Sequence, residues 1–450
     1  MDKKENFINS VVSIAIPVAL QSMLQSSFSI IDQLMIGQLG DECISGIGLA
    51  GKFTSIFGVV VGAVGTVAGI YISQYLGAKK EDKAARSMYI NGVIAMIIAT
   101  IFLLLSLSFS KEIIGIYIDD ANTILIASNY LRIVALAFYA TALSTILSTM
   151  LRSLELAVIP LIASLVAVVL NTLINYILIF GKFGAPRLGV EGAAIATVVS
   201  GWVNFIIIFV GLILCKKNIK ISSLLIKSSS DEKKKYIYVL LPILVNEFLW
   251  SLGENIYAVI YGHLGTKSLA AMTLSYPIQG LLIGALSGLS GAATVIVGKK
   301  LGADRPDEAY SDSKKLMLVS FIGAAILSFV LILCSRFYVS FYKVDDTVRK
   351  IAIYVLIAFA MVAPFKVLNM VLGGGILRSG GETKLVMYID IIGTWLFGIP
   401  LGLLTSNVFN LPIYWVYFIL SLEEVIRFII SFIIFRNKKW MKNIDVGLQQ

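Results

Sequence analysis

The sequence is poor in the residues that chemistry uses. One of its 450 residues is a histidine, His263, and three are cysteines, Cys43, Cys215 and Cys334. No two cysteines stand at metal or redox spacing, and there is no HExxH, phosphate-loop or GxSxG segment. Without such sets there is no machinery to hydrolyse a bond, hold a catalytic metal or use ATP, so the chain reads as a non-enzyme without a cofactor. Charge is scarce as well: 14% of residues are charged and 58% apolar, more than a soluble domain of this length needs for its core.

What the chain does have is length without charge. Apolar stretches of about 20 residues or more, each enough for a hydrocarbon layer of roughly 30 Å, fall near 11–38, 48–76, 88–110, 121–149, 156–180, 190–214, 236–262, 269–298, 312–335, 347–377, 384–405 and 411–435. The N-terminal MDKKENFINS leads into the first of these with no small-residue cleavage pattern, so a retained span is expected rather than a signal peptide. The reading is an all-α polytopic protein of a cell membrane with twelve spans.

Residues 17–84 recur without a gap at 242–309. Pro17 matches Pro242, Gly37 and Gly40 match Gly262 and Gly265, and Leu76, Gly77 and Ala78 match Leu301, Gly302 and Ala303. With six spans per half, the two repeats enter the membrane in the same direction and both termini share one side. Most of the 37 Lys and Arg fall on that side, including 79–86, 216–235, 299–315 and 436–442, which by the positive-inside rule makes it cytoplasmic. The +10 net charge is thus a topology signal, dispersed over short loops and unsuited to nucleic acid. The expected organisation is an N-lobe (1–215), a Ser/Lys-rich cytoplasmic linker (216–235), a C-lobe (236–435) and a cytoplasmic tail (436–450).

An ionisable group inside a span is costly and is a functional-site hypothesis by default. In the first span Gln21, Gln25, Ser29 and Asp32 follow one helical stripe, which makes Asp32 a candidate ion or proton site. In the seventh, Glu247 and Glu254 stand within about 20° of each other around the helix and about 10 Å apart along it. They share a face with Trp250 or Ser251 and with Tyr257 or Tyr261. Carboxylates among aromatic rings suit a hydrophobic cation. Lys366, alone in the middle of span ten, counts among the substrate-facing candidates, or else neutralises one of these glutamates. Asp390 in span eleven is a further candidate; Glu423 and Glu424 are spaced to pair with Arg427. In the repeat, Asp32 corresponds to Tyr257, while Glu247 and Glu254 correspond to Ser22 and Ser29, so the acids are not part of the shared scaffold.

Taken together, IIDQLMIGQLG, SQYLGAKKEDKA, LNTLINYILIFGKFG, LPILVNEFLWSLGENIYAVIYGHLGTKSLAA and GILRSGGETK resemble the multidrug and toxic compound extrusion (MATE) transporters over nearly the whole chain. The resemblance implies two parallel six-helix repeats forming a V-shaped pair of lobes. A Na+ or H+ gradient would drive export of organic, often cationic, compounds by alternating access. It also implies a cation or coupling site at Asp32, Asn171, Asn175 and Thr197, with Asp32 and Asn175 as Na+ ligands if sodium couples. Gln25, Glu247, Trp250, Glu254, Tyr257, Lys366 and Asp390 are then the expected substrate-binding residues. Some members carry an acid at the position of Asn175 and another in span ten near Val367; this chain lacks both. The expected partners are small organic cations and the bilayer, the expected unit a monomer. The rival reading is a flippase for lipid-linked oligosaccharides, whose pyrophosphate calls for a basic cavity, whereas the charges inside the spans here are mostly acidic.

Overall fold

In the computed structural model, residues 2–39, 41–215, 230–342 and 344–443 are described. Positions 216–229 of the expected linker and 444–450 of the expected tail lie outside them. Every regular element among the described residues is helical. In chain order the helices are α1 (Asp2–Ile36), α2 (Asp41–Gly77), α3 (Glu81–Ser108), α4 (Ser110–Gly115), α5 (Ala121–Val134), α6 (Phe138–Ser153), α7 (Val158–Phe180) and α8 (Val190–Leu214). The second half adds α9 (Ser230–His263), α10 (Thr266–Gly302), α11 (Pro306–Ser340), α12 (Asp346–Asn369), α13 (Thr383–Ile391), α14 (Ile399–Leu403), α15 (Ile413–Leu420) and α16 (Glu423–Arg436).

Eleven helical stretches among the described residues are long and apolar enough to cross a membrane. The twelfth span, expected at 411–435, is built from α15 and α16. At Ser421–Leu422 the helical ladder tightens to three-residue bonds, from Glu424 N to Ser421 O and from Val425 N to Leu422 O, both 3.0 Å. No Gly or Pro stands there to explain the break; the buried trio Glu423, Glu424 and Arg427 lies directly beyond it.

Spans ten and eleven contain wide π-type turns at Met370–Leu377 and Ile392–Gly398. Pro400 has no N–H for the carbonyl of Leu396 and its ring crowds that turn, so the ladder widens upstream of it. In the other segment, Ser290 Oγ donates to Met370 O at 2.8 Å and takes up a carbonyl at the start of the wide turn.

The chain forms two compact units. One gathers Met1–Ala19, Ser73–Lys79 and Ser228–Gln450; the other holds Leu20–Ile72 and Lys80–Lys227. They differ from the lobes 1–215 and 236–435 at two short segments, and the crossing of α2 with α10 shows why residues 73–79 belong where they do. A methyl on Gly77 would run into the backbone of Lys299, and one on Gly302 into the backbone of Gln74. Each glycine meets the repeat counterpart of the other's partner, since Gly77 corresponds to Gly302 and Gln74 to Lys299. Between them Gly298 abuts its own counterpart, Ser73. The two equivalent helix ends cross about a local twofold, at a backbone separation that only glycine allows.

The same unit is closed by the chain's C-terminal segment. Trp440 is fully buried, stacks on Phe435 at 5.6 Å and donates from Nε1 to Phe435 O at 3.1 Å. Gln74 Nε2 donates to the carbonyls of Ser379 (2.7 Å) and Lys442 (3.2 Å), and Lys442 pairs with Glu382 at 2.5 Å. In detergent, Gly302→Val is expected to destabilise by about 1–3 kcal/mol through overpacking, with a lower thermal midpoint. Gly58→Ala, with open space at its Cβ position, should leave the midpoint unchanged or raised.

Candidate functional site

Each compact unit holds one constellation of intramembrane polar groups. In the unit containing Leu20–Ile72, Asp32 of α1 meets two asparagines one turn apart on α7. Asn175 Nδ2 donates to the Asp32 carboxylate and to Asn171 Oδ1, the latter at 2.7 Å. Asn171 Nδ2 donates to Ser200 Oγ at 3.1 Å, and Ser200 in turn donates to the carbonyl of Thr197 at 3.1 Å. Buried Tyr130 lies within electrostatic reach of Asp32 and Thr197. Asp32 has no ion-pair partner among the described residues, and buried Asn175 Oδ1 accepts no hydrogen bond there. An unneutralised carboxylate with amide and hydroxyl oxygens around it suits a hard cation or a proton. Gln25 is exposed and stands outside this chain of bonds. Gln21 instead donates to Ser164 (2.8 Å) and accepts from Arg152 (2.9 Å). The side chain of Ser29 lies outside the described residues.

The second constellation surrounds a cavity of about 290 Å³ within the unit that holds Ser228–Gln450. Its walls carry Glu254 and Trp250 from α9, Lys366 from α12, and Glu423 and Glu424 from α16. Aromatic faces come from Tyr257, Tyr261, Tyr276, Phe359 and Tyr417. Tyr257 Oη donates to Glu423 Oε2 at 2.7 Å, and Asn369 Nδ2 donates to Glu424 Oε2 at 2.8 Å. Behind the lining, Arg427 serves three carboxylates at once: Glu423 at 3.6 Å, Asp390 at 3.7 Å and Glu424 at 3.8 Å. It also donates to Thr394 Oγ1. Asp390 accepts from Asn246 at 2.8 Å.

Among the sequence candidates, Trp250, Glu254, Tyr257 and Lys366 therefore share one cavity. Glu247 and Asp390 do not line it. Glu247 pairs with Arg378 at 3.4 Å, a partner 131 positions away that helical spacing on α9 cannot reveal. Asp390 is held behind the lining by Arg427. The expected pairing of Glu423 and Glu424 with Arg427 is present, but their place in the cavity wall is new. So is the place of Tyr276, Gln279 and Tyr417, which the sequence offers only as apolar-span tyrosines and an amide. Ser200 and Tyr130 were missed in the other unit; Ser200 stands one turn after Thr197, a spacing that could have found it.

Counting Glu254, Asp390, Glu423 and Glu424 against Lys366 and Arg427 leaves two negative charges in excess when all are ionised. Arg427→Met would abandon three clustered carboxylates in a buried site and is expected to cost about 3–5 kcal/mol, read as a lowered thermal midpoint. Arg427→Lys keeps the charge without the planar fork and should fall between the two.

The chain matches the MatE family model over residues 17–177 and 242–404, two segments that begin at the repeat-related Pro17 and Pro242. It is 23% identical over 433 residues to a probable multidrug resistance protein NorM of Thermotoga maritima, covering 96% of this chain and 93% of that one. It is 22% identical over 443 residues to an uncharacterised transporter, YisQ, of Bacillus subtilis, with 96% and 95% covered. Among solved structures, a MATE protein crystallised with MaL6 superposes with a TM-score of 0.88 at 16% identity, covering 98% of this chain and 97% of that one. A transporter of the MOP superfamily from Pyrococcus furiosus, described as having a binding pocket of reversed polarity, gives 0.85 at 17% identity, with 95% of each chain covered. These likenesses show the same helical fold, and with its family model spanning both repeats the chain belongs to the MatE family of transporters.

Proposed function

We propose that this chain is an antiporter that exports hydrophobic organic compounds, chiefly cations, by alternating access, driven by an inward Na+ or H+ gradient. The observation that carries the reading is the cavity where Glu254, Glu423 and Glu424 stand among aromatic rings, with carboxylates outnumbering bases. A hydrophobic cation entering it gains an opposite charge in a low-dielectric site and ring faces for its body, without needing full hydration. The name of the Thermotoga relative supports drug-like cargo. The excess of acid speaks against a pyrophosphate-bearing lipid.

Coupling is assigned to Asp32, Asn171, Asn175 and Thr197. Asp32 offers its charge to Na+ or to a proton, and Asn175 Oδ1 supplies a further oxygen ligand to Na+. Exchange results when ion and substrate favour different conformations, because each then shifts the population the other binds. The distribution of Lys and Arg supports both termini in the cytoplasm, and a single chain, holding both constellations, is the proposed working unit.

Vesicles containing the protein and preloaded with ethidium test the reading under a Na+ gradient and, separately, an H+ gradient. The expected result is efflux with one of the two gradients, abolished by Asp32→Asn. Efflux insensitive to both gradients, or unchanged in the variant, would refute the assignment of coupling to Asp32.

A further inference from the structure

One cation in the first unit has no counter-charge. Arg152, in the last turn of α6, keeps its proton in any protein environment. Its Nη2 donates to Gln21 Oε1 at 2.9 Å, but Nε is sealed from solvent without an acceptor and Nη1 makes no hydrogen bond among the described residues. No carboxylate among them comes within 4.0 Å of the guanidinium, Glu155 three positions on included. The other half shows what is missing. Leu151-Arg152-Ser153 recurs as Leu377-Arg378-Ser379, and the two serines are alike fully buried and bonded back to their own helices. Arg378 has Glu247 at 3.4 Å, whereas the repeat puts Ser22 at the position of Glu247, with Gln21 beside it. The neighbouring side chain adds a donor and no charge. Gln21 Nε2 donates to Ser164 Oγ at 2.8 Å, and the hydroxyl proton of Ser164 has no acceptor among the described residues. Gln21 and Ser164 are only 9% and 7% exposed, so bulk water does not answer for the absent acid. A guanidinium and a hydroxyl with unspent hydrogens, and no negative group beside them, form a receptor for an oxyanion.

We propose that Arg152, Gln21 and Ser164 form a phosphate site for an anionic membrane lipid, whose charge answers Arg152 and whose oxygens accept the hydrogens left over on Arg152 and Ser164. The position favours a lipid over a free anion. Arg152 closes the apolar stretch Ala121–Ser153, at the end that the distribution of Lys and Arg assigns to the cytoplasmic surface, which is the depth of a headgroup. Helix α7, which carries Ser164, presents Val158, Ile162 and Leu165 at helical spacing, each about half exposed, an apolar stripe along which an acyl chain can lie. A lipid phosphate meets both needs, and a free phosphate only the first. The inference depends on neither the exported compound nor the coupling ion.

The test uses the full-length protein in detergent, stripped of lipid, and follows its thermal midpoint against three additives. Dioctanoyl-phosphatidylglycerol carries phosphate and chains, dioctanoylglycerol the chains alone, and glycerol phosphate the phosphate alone. The midpoint of wild type is expected to rise with the first, as binding to the folded state requires, and to stay put with the other two at the same concentrations. Arg152→Gln should weaken the apparent affinity for the phospholipid by about tenfold or more, the scale of one hydrogen bond to a charged group. Gln21→Glu supplies the missing acid and keeps the arginine, so it decides the matter even if Arg152→Gln does not fold. It should close on Arg152 as Glu247 does on Arg378, raise the lipid-free midpoint and abolish the response to lipid. A phospholipid response undiminished in either variant would overturn the site. An equal rise with dioctanoylglycerol would overturn the role of the phosphate, and an equal rise with glycerol phosphate would overturn the assignment to a lipid.

Discussion

Within a bilayer a charge must find a partner inside the protein or water in a cavity, and this constraint shapes both units. Arg427 is its centre in the second half. One guanidinium draws Glu423 and Glu424 of its own helix together with Asp390 of α13, and its contact with Thr394 reaches the wide turn at Ile392–Gly398. Tyr257 from α9 and Asn369 at the end of α12 complete the ring of partners. The irregular helical geometry of spans eleven and twelve serves the same need. The helix between α15 and α16 tightens immediately before the acids, and the π-type turn brings Thr394 to the arginine. Regular helices would hold these groups in other directions.

The duplication separates what is shared from what is specialised. Gly77, Gly298 and Gly302, with Ser73 and Gln74, form a crossing in which repeat-related positions meet each other or each other's partners. This is scaffold, set by backbone contact, and both halves supply it in the same way. The acids obey no such symmetry. Asp32 has a tyrosine as its counterpart and Glu254 a serine, and the two constellations differ in character. One is a lone carboxylate among amides and hydroxyls; the other is a charge network beside an aromatic cavity. The proposed division of labour, coupling in one unit and cargo in the other, rests on that difference.

The spans and the repeat were legible because lipid demands about 20 apolar residues at a time and because duplication leaves glycines and prolines in register. The pairing of Glu423 and Glu424 with Arg427 was legible from helical spacing alone. Partners from distant helices were not. Glu247 shares its helix face with Glu254, yet Arg378 takes it out of the cavity lining, and nothing on α9 announces that. The break at Ser421–Leu422 has no Gly or Pro to mark it, whereas Pro400 does mark the wide turn upstream. Asn171 and Asn175 came from the family resemblance; as bare residues they are two amides in an apolar helix. The membership of residues 1–19 and 73–79 in the second-half unit could not be read from a boundary drawn at the repeat.

Two sites with separate tasks, each affecting what the other binds, are the centre of the proposed mechanism. The most direct measurement is the equilibrium affinity of the purified protein for ethidium as Na+ and pH are varied, in wild type, Asp32→Asn and Glu254→Gln. Wild-type affinity is expected to fall as the coupling ion binds. Asp32→Asn should bind the dye but no longer respond to the ion, and Glu254→Gln should bind it weakly under all conditions. Weak dye binding in Asp32→Asn with its ion response retained, and an ion response lost in Glu254→Gln, would assign the tasks the other way round and contradict the mechanism.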